Sequence, residues 1–102
     1  MPRALGVSSL RILAAIRDGA TYGLDIVATT GMPSGTVYPT LSRLKSGRLV
    51  HAKWEDQRVA DREGRPRRRY YSLTRDGAKA LAQGADLVRR VASDLAPRVR
   101  EA

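Results

Sequence analysis

Thr36, Thr40 and Arg43 fall at i, i+4 and i+7, which on a helix would put two hydroxyls and a guanidinium on one face. Such groups read base edges in a DNA major groove, arginine by pairing with guanine above all. A second concentration of chemistry follows at Gly64–Arg69, whose sequence is GRPRRR. There a glycine permits close approach and a proline stiffens the turn, a presentation suited to placing Arg65 in a narrow minor groove. Neither cluster has the make-up of a catalytic site. The chain has one histidine and no cysteine, and its acids are mostly interleaved with arginines as surface pairs. Positioned acids, bases and nucleophiles are therefore missing, and no enzymatic activity or cofactor is expected. His51 has no second histidine or carboxylate at ligand spacing, so no metal site is expected either.

The distribution of charge supports the same direction. Residues 34–75 hold 11 Arg and Lys against 4 Asp and Glu, which is seven of the nine net positive charges of the 102-residue chain. The segments before and after carry one net positive charge each. A surface charged only for solubility would scatter its cations, whereas a stripe of this kind attracts a polyanion by releasing counterions. Double-stranded DNA is the expected partner. With 42% hydrophobic residues the chain has the composition of one modest globular domain. Zero cysteines exclude disulfides and Cys-based zinc fingers. Apolar runs of only a few residues and an N-terminus without signal-peptide character lead to the expectation of a cytoplasmic protein with no membrane partner.

The elements that must position these groups follow from periodicity. A first helix is expected from about Ser8, capped by serine, with Leu10, Ile12, Leu13 and Ile16 inward and Gly19 as its stop. A second, short helix runs from about Tyr22 to Thr30, with Leu24, Ile26 and Val27 inward and Gly31 as terminator. The third, 34–46, buries Val37, Leu41 and Leu44. Its start at Gly35 lacks a side chain, so the first N–H groups could approach a phosphate, and Pro39 forfeits one early hydrogen bond. Alternation then predicts a strand with Val50, Ala52 and Trp54 on one side, and a return strand with Arg69, Tyr71 and Leu73 facing in. Trp54 is expected in the core. Between the strands the polar stretch 56–68 reads as a loop, a wing.

From Thr74, a helix cap, Ala78, Leu81, Ala85, Val88, Ala92, Leu95 and Val99 keep a 3-4 spacing, which is a heptad seam. A small domain cannot cover so long a stripe. Leu81, Ala85, Val88, Ala92 and Leu95 are therefore assigned to pairing with a second copy, with Pro97 expected to end or kink the helix. The fold class is mainly α with a small β-hairpin, a winged helix-turn-helix plus a C-terminal dimerisation helix. Residues 1–80 would form the DNA-binding domain and 81–102 the dimerisation helix continuous with it.

Three blocks carry a family resemblance: YGLDI at Tyr22–Ile26, SGTVYPTLSRLKSGRLV at Ser34–Val50, and RRRYYSLTRDGAKAL at Arg67–Leu81. Together they resemble the PadR-like transcriptional regulators over nearly the whole chain. The resemblance implies a winged-helix DNA-binding domain, a homodimer joined through the C-terminal helix, and usually repression of a nearby promoter. It also implies a possible small-molecule effector, since several members respond to phenolic or drug-like ligands, sometimes at the dimer interface. The candidate DNA-contacting residues are Ser34, Gly35, Thr36, Tyr38, Thr40 and Arg43 on the third helix, with Arg65, Arg67 and Arg68 on the wing. Two departures stand out: the segment between YGLDI and SGTVYP is short, and the C-terminal seam has Ala and Val where aromatic residues would flank a flat ligand. Two other uses of the same charge stay open. A sequence-neutral architectural or RNA-binding protein would bind random duplex as well as any operator. A winged helix used as a protein-interaction module would bind its partner in high salt and without Arg65.

Overall fold

Helix α1 (Val7–Arg17) supplies the centre of the core, burying Leu10, Ile12, Leu13, Ala15 and Ile16. The computed structural model describes residues 5–98. The cap of α1 is Gly6 rather than Ser8, and both serines lie inside the first turn without capping it. The next helix, α2 (Gly23–Thr30), ends at Gly31, whose φ of 71° is the left-handed conformation that glycine adopts without strain. Ile26 is fully buried and Val27 half-buried, but Leu24 is 68% exposed, against the expectation that it packs inward. Helix α3 (Ser34–Ser46) buries Val37, Leu41 and Leu44 as its periodicity requires, and Pro39 is accommodated within it.

Strands β1 (Val50–Trp54) and β2 (Arg69–Leu73) pair antiparallel, with Val50 opposite Leu73 and Trp54 opposite Arg69. The hairpin is tied to the helices by a bridge between Tyr22 and Tyr70 and by the Tyr71 N–H donating to Thr21 O at 2.7 Å. Val50 and Tyr71 reach the core, while Ala52 and Leu73 pack at its edge. Trp54 does not: it is 52% exposed, because it sits at the open end of the hairpin, away from α1.

The wing is not a loop throughout. Residues Gln57–Glu63 form a short helix, α4, between the strands. Its start is fixed by the Asp56 carboxylate, which accepts from the Arg58 N–H at 2.9 Å, and its end by Gly64 at φ 66°. Ala60 is buried on its inner side.

Helix α5 (Arg75–Leu95) is 21 residues long. The Thr74 hydroxyl accepts from the Gly77 N–H at 2.9 Å and donates to Arg48 O at 2.8 Å, joining the helix start to the turn before β1. The helix stops at Ala96, held extended by the proline that follows it. Val99, assigned to the seam by spacing, lies outside the described residues. Only the first turns of α5 meet the domain, and the molecule is accordingly long, 67 × 31 × 21 Å. None of the described helices is long and apolar enough to cross a membrane.

Candidate nucleic-acid interface

The outer face of α3 is displaced from the one that spacing suggested. Thr40 is 1% exposed, because it lies within the arc of Val37, Leu41 and Leu44 rather than opposite to it. Its hydroxyl donates to Thr36 O at 2.7 Å and accepts from Arg43 Nη2 at 3.1 Å. Thr40 thus cannot touch a base; it holds the guanidinium of Arg43, which is itself exposed. Thr36 is half-buried. The residues facing outward are Ser34, Gly35, Tyr38, Ser42 and Lys45, and from Gly35 to Lys45 these run at spacings of three and four. Ser42 and Lys45 escaped the sequence reading, although a stripe started one residue earlier would have included them. No side chain caps the start of α3, so the N–H groups of Ser34 and Gly35 stay available to an anion.

The wing is organised by one carboxylate. Glu55 is 6% exposed and accepts four hydrogen bonds: from Arg65 Nη1 at 2.7 Å, Arg65 Nη2 at 2.9 Å, the Arg68 N–H at 3.3 Å and the Tyr70 hydroxyl at 3.1 Å. The Arg65 pairing, aided by the Arg68 and Tyr70 donors and opposed by burial, lowers its pKa from 4.5 to about 2. Arg65 is only 23% exposed in this pairing. The minor-groove finger expected at Arg65 is thus a strut across the base of the wing, because a bidentate arginine–carboxylate pair fixes its fork. The neighbouring arginines are spread over ring faces. Arg67 lies 4.7 Å from the Trp54 centroid and Arg68 4.0 Å from that of Tyr22. Arg69 lies 5.6 Å from Trp54 and 5.8 Å from Tyr71. Such stacking fixes a guanidinium while leaving its edge free to donate.

Tyr38 and the wing are brought together across α2. A Cβ on Gly23 would stand 2.4 Å from Tyr38 Cε1, so the glycine is what lets the ring lie against α2. Tyr38, 44% exposed, then lines one cavity with Trp54 and Arg67–Arg69. The exposed face of α3 and the arginines of the wing therefore front a single surface. Among the described residues no group of three or more His, Cys, Asp or Glu is placed to hold a metal ion.

Comparison with known proteins accords with this geometry. Residues 12–83 match the transcriptional regulator PadR-like family. The chain belongs to that family. A PadR-like transcriptional regulator of Bacillus cereus superposes with a TM-score of 0.72 at 23% identity, over 88% of each chain. A PadR family regulator of Clostridium difficile does so with a TM-score of 0.70 at 23% identity, over 87% of this chain and 97% of that one. The Bordetella bronchiseptica protein BpsR, whose DNA binding is regulated by 6-hydroxynicotinic acid, gives a TM-score of 0.71 at 21% identity over 92% of this chain and 67% of its own. Among the curated proteins there is no match. The fold is thus the mainly α winged helix with a small hairpin that the sequence led one to expect.

The PadR-like match ends at residue 83, just where α5 leaves the domain. From there the helix carries exposed Leu87, Val88, Val91 and Leu95. The stripe that packing defines is Gly77, Leu81, Gly84, Val88, Val91 and Leu95, an unbroken alternation of four and three. Its first half is closed inside the subunit. Leu81, assigned to pairing between subunits, is 6% exposed within the core, and Gly84 abuts Leu10, whose Cδ2 a Cβ there would approach to 2.3 Å. Ala85 is half-buried at the edge of the stripe and Ala92 exposed beside it, so Val91 replaces Ala92 on the apolar line.

Proposed function

We propose that this PadR-like chain is a sequence-specific DNA-binding regulator that acts as a homodimeric repressor. The α3 face of Gly35, Tyr38, Ser42 and Arg43 reads the major groove, and Ser34 and Gly35 offer backbone donors to a phosphate. Arg67 and Arg68 meet the backbone or minor groove beside it. Arg65 and Thr40 serve indirectly, by holding the wing and Arg43. One observation carries this reading: Tyr38 of α3 and the wing arginines line the same cavity, so the cations of two elements bear on one surface. The exposed half of the α5 stripe supports pairing with a second copy, since a helix face with four large apolar side chains in water is an unfinished interface. The regulation of BpsR by a small aromatic acid stands behind an effector for this chain as well.

Selection of bound duplexes from a random pool, at stated salt, tests the reading. Inverted half-sites about one helical turn apart, or a multiple of it, are the expected result for a two-fold dimer. Recovery of duplexes without a common sequence would favour a sequence-neutral architectural protein instead.

A further inference from the structure

The cavity between α2, α3 and the wing has a volume of 290 Å³, at the lower end of ligand sites, which span roughly 300–1,000 Å³. Its walls combine two chemistries. Tyr22, Tyr38, Trp54 and Tyr71 contribute ring surface and Leu24 an apolar edge, and both Trp54 and Leu24 are more than half exposed, unlike residues closed off in a core. Arg67, Arg68 and Arg69 contribute cations, and among the described residues none of the three is in an ion pair. The one carboxylate at hand, Glu55, is already bound by Arg65. Arg69 is left in a costly state, with its Nε buried and without an acceptor. Ring faces favour a flat partner, and unneutralised guanidiniums favour a negative one.

We propose that this cavity binds a planar aromatic anion, its ring against Trp54 and Tyr38 and its charge on Arg69 and Arg67. Because Tyr38 and Arg67 belong to the surface assigned above to DNA, a bound anion excludes DNA by occupying the interface itself. No movement of the dimer is required. The competition rests on the DNA-binding reading, whereas ligand binding can be measured without it.

Trp54 is the only tryptophan in the chain, so its fluorescence reports on the cavity directly. The full chain is titrated with benzoate, with neutral benzamide, with cyclohexanecarboxylate and with adenosine monophosphate. Benzoate should give a saturable change, and benzamide and cyclohexanecarboxylate should bind at least about tenfold more weakly, since each lacks the anion or the flat ring. Tighter binding of adenosine monophosphate would support the same chemistry and identify a nucleotide as its fuller form. Arg69→Gln should abolish the response. In a DNA titration of the parent protein, benzoate should raise the apparent Kd in proportion to its occupancy. A parent protein that shifts DNA yet shows no saturable response to either aromatic anion overturns the site. Equal binding of benzoate and benzamide overturns the role of the arginines, and simultaneous binding of ligand and DNA overturns the competition. All three outcomes are measured on the parent protein, whether or not the variant folds.

Discussion

Shortening one side chain on α5 separates the two halves of its stripe. Leu95 is 78% exposed in the single chain, so pairing with a second copy would remove most of a leucine side chain from water. Full burial of leucine contributes about 1.5–3 kcal/mol, and the exposed fraction of Leu95 scales this to roughly 1–2 kcal/mol. A two-fold interface contains the residue twice, which doubles the loss to roughly 2–4 kcal/mol. Leu95→Ala should therefore raise the dimer dissociation constant about 30- to 1,000-fold while leaving each subunit folded. Leu95→Glu should go further, because a carboxylate there resists desolvation. Sedimentation across a concentration series reads the dissociation constant, and circular dichroism confirms the fold. Binding to a full operator and to a half-site should converge in the monomeric variant, since the gain from engaging two half-sites is lost. A Leu95→Glu protein that sediments as a dimer at the parent's concentrations would show that pairing runs through another surface.

Other substitutions test the positions around it. Arg43→Ala should cost about 1–3 kcal/mol on the preferred site and relax sequence preference at one position per half-site, measured by competition with substituted operators. Arg67→Ala should weaken all duplexes alike and reduce the salt slope by about one, without altering the melting temperature. Arg65→Ala should lower the melting temperature as well, because it strands the buried Glu55 carboxylate. Glu55 itself makes a pH-dependent contribution: its folded pKa of about 2 lies below the ordinary 4.5, so that contribution is complete above pH 4.5 and is lost as pH falls towards 2. Acid unfolding of Glu55→Gln should lack this component, and a slope unchanged from the parent's would contradict the pairing. Gly77→Ala would place a Cβ 1.9 Å from Leu49 O, a backbone atom that cannot swing aside. A loss of about 2 kcal/mol or more, near 10 °C in melting temperature, is expected by calorimetry.

The order of elements was legible because apolar spacing and glycine stops agree along most of the chain. What failed did so for identifiable reasons. Thr36, Thr40 and Arg43 form one i, i+4, i+7 stripe and Val37, Leu41 and Leu44 form the next, one residue round the helix. Threonine suits either, being small enough to bury once its hydroxyl bonds its own backbone, so only the packing of α3 decides that Thr40 is inside. Helix α4 was hidden among charges, its sole buried side chain the methyl group of Ala60. On α5 spacing favoured Ala78 and Ala85 over Gly77 and Gly84. A glycine reads as a missing apolar group, yet here the missing Cβ is the reason for its place: Leu49 O and Leu10 occupy the space. The wing held the largest difference, since Glu55 and Arg65 are ten residues apart and meet only after α4 has folded.

That pairing alters what the arginine cluster can do. Four guanidiniums within five residues, Arg65 to Arg69, repel one another, and a loop carrying them unpaired would swell and lose more entropy whenever it docked on DNA. Glu55 neutralises one of them and gathers the Arg68 N–H and the Tyr70 hydroxyl at the same carboxylate, so the chain from 65 to 70 is pinned before any partner arrives. Trp54 and Tyr22 then hold Arg67 and Arg68 on ring faces instead of leaving them to sweep through solvent. The wing thus gives up one cation in four to present the others at fixed positions. Affinity for phosphate falls by the charge lost, and the ordering cost of binding falls with it. A basic tail would choose the opposite balance, keeping every charge and no geometry. The protein's own carboxylate, placed where it could only weaken attraction to DNA, makes sense if position along the groove matters more than raw attraction.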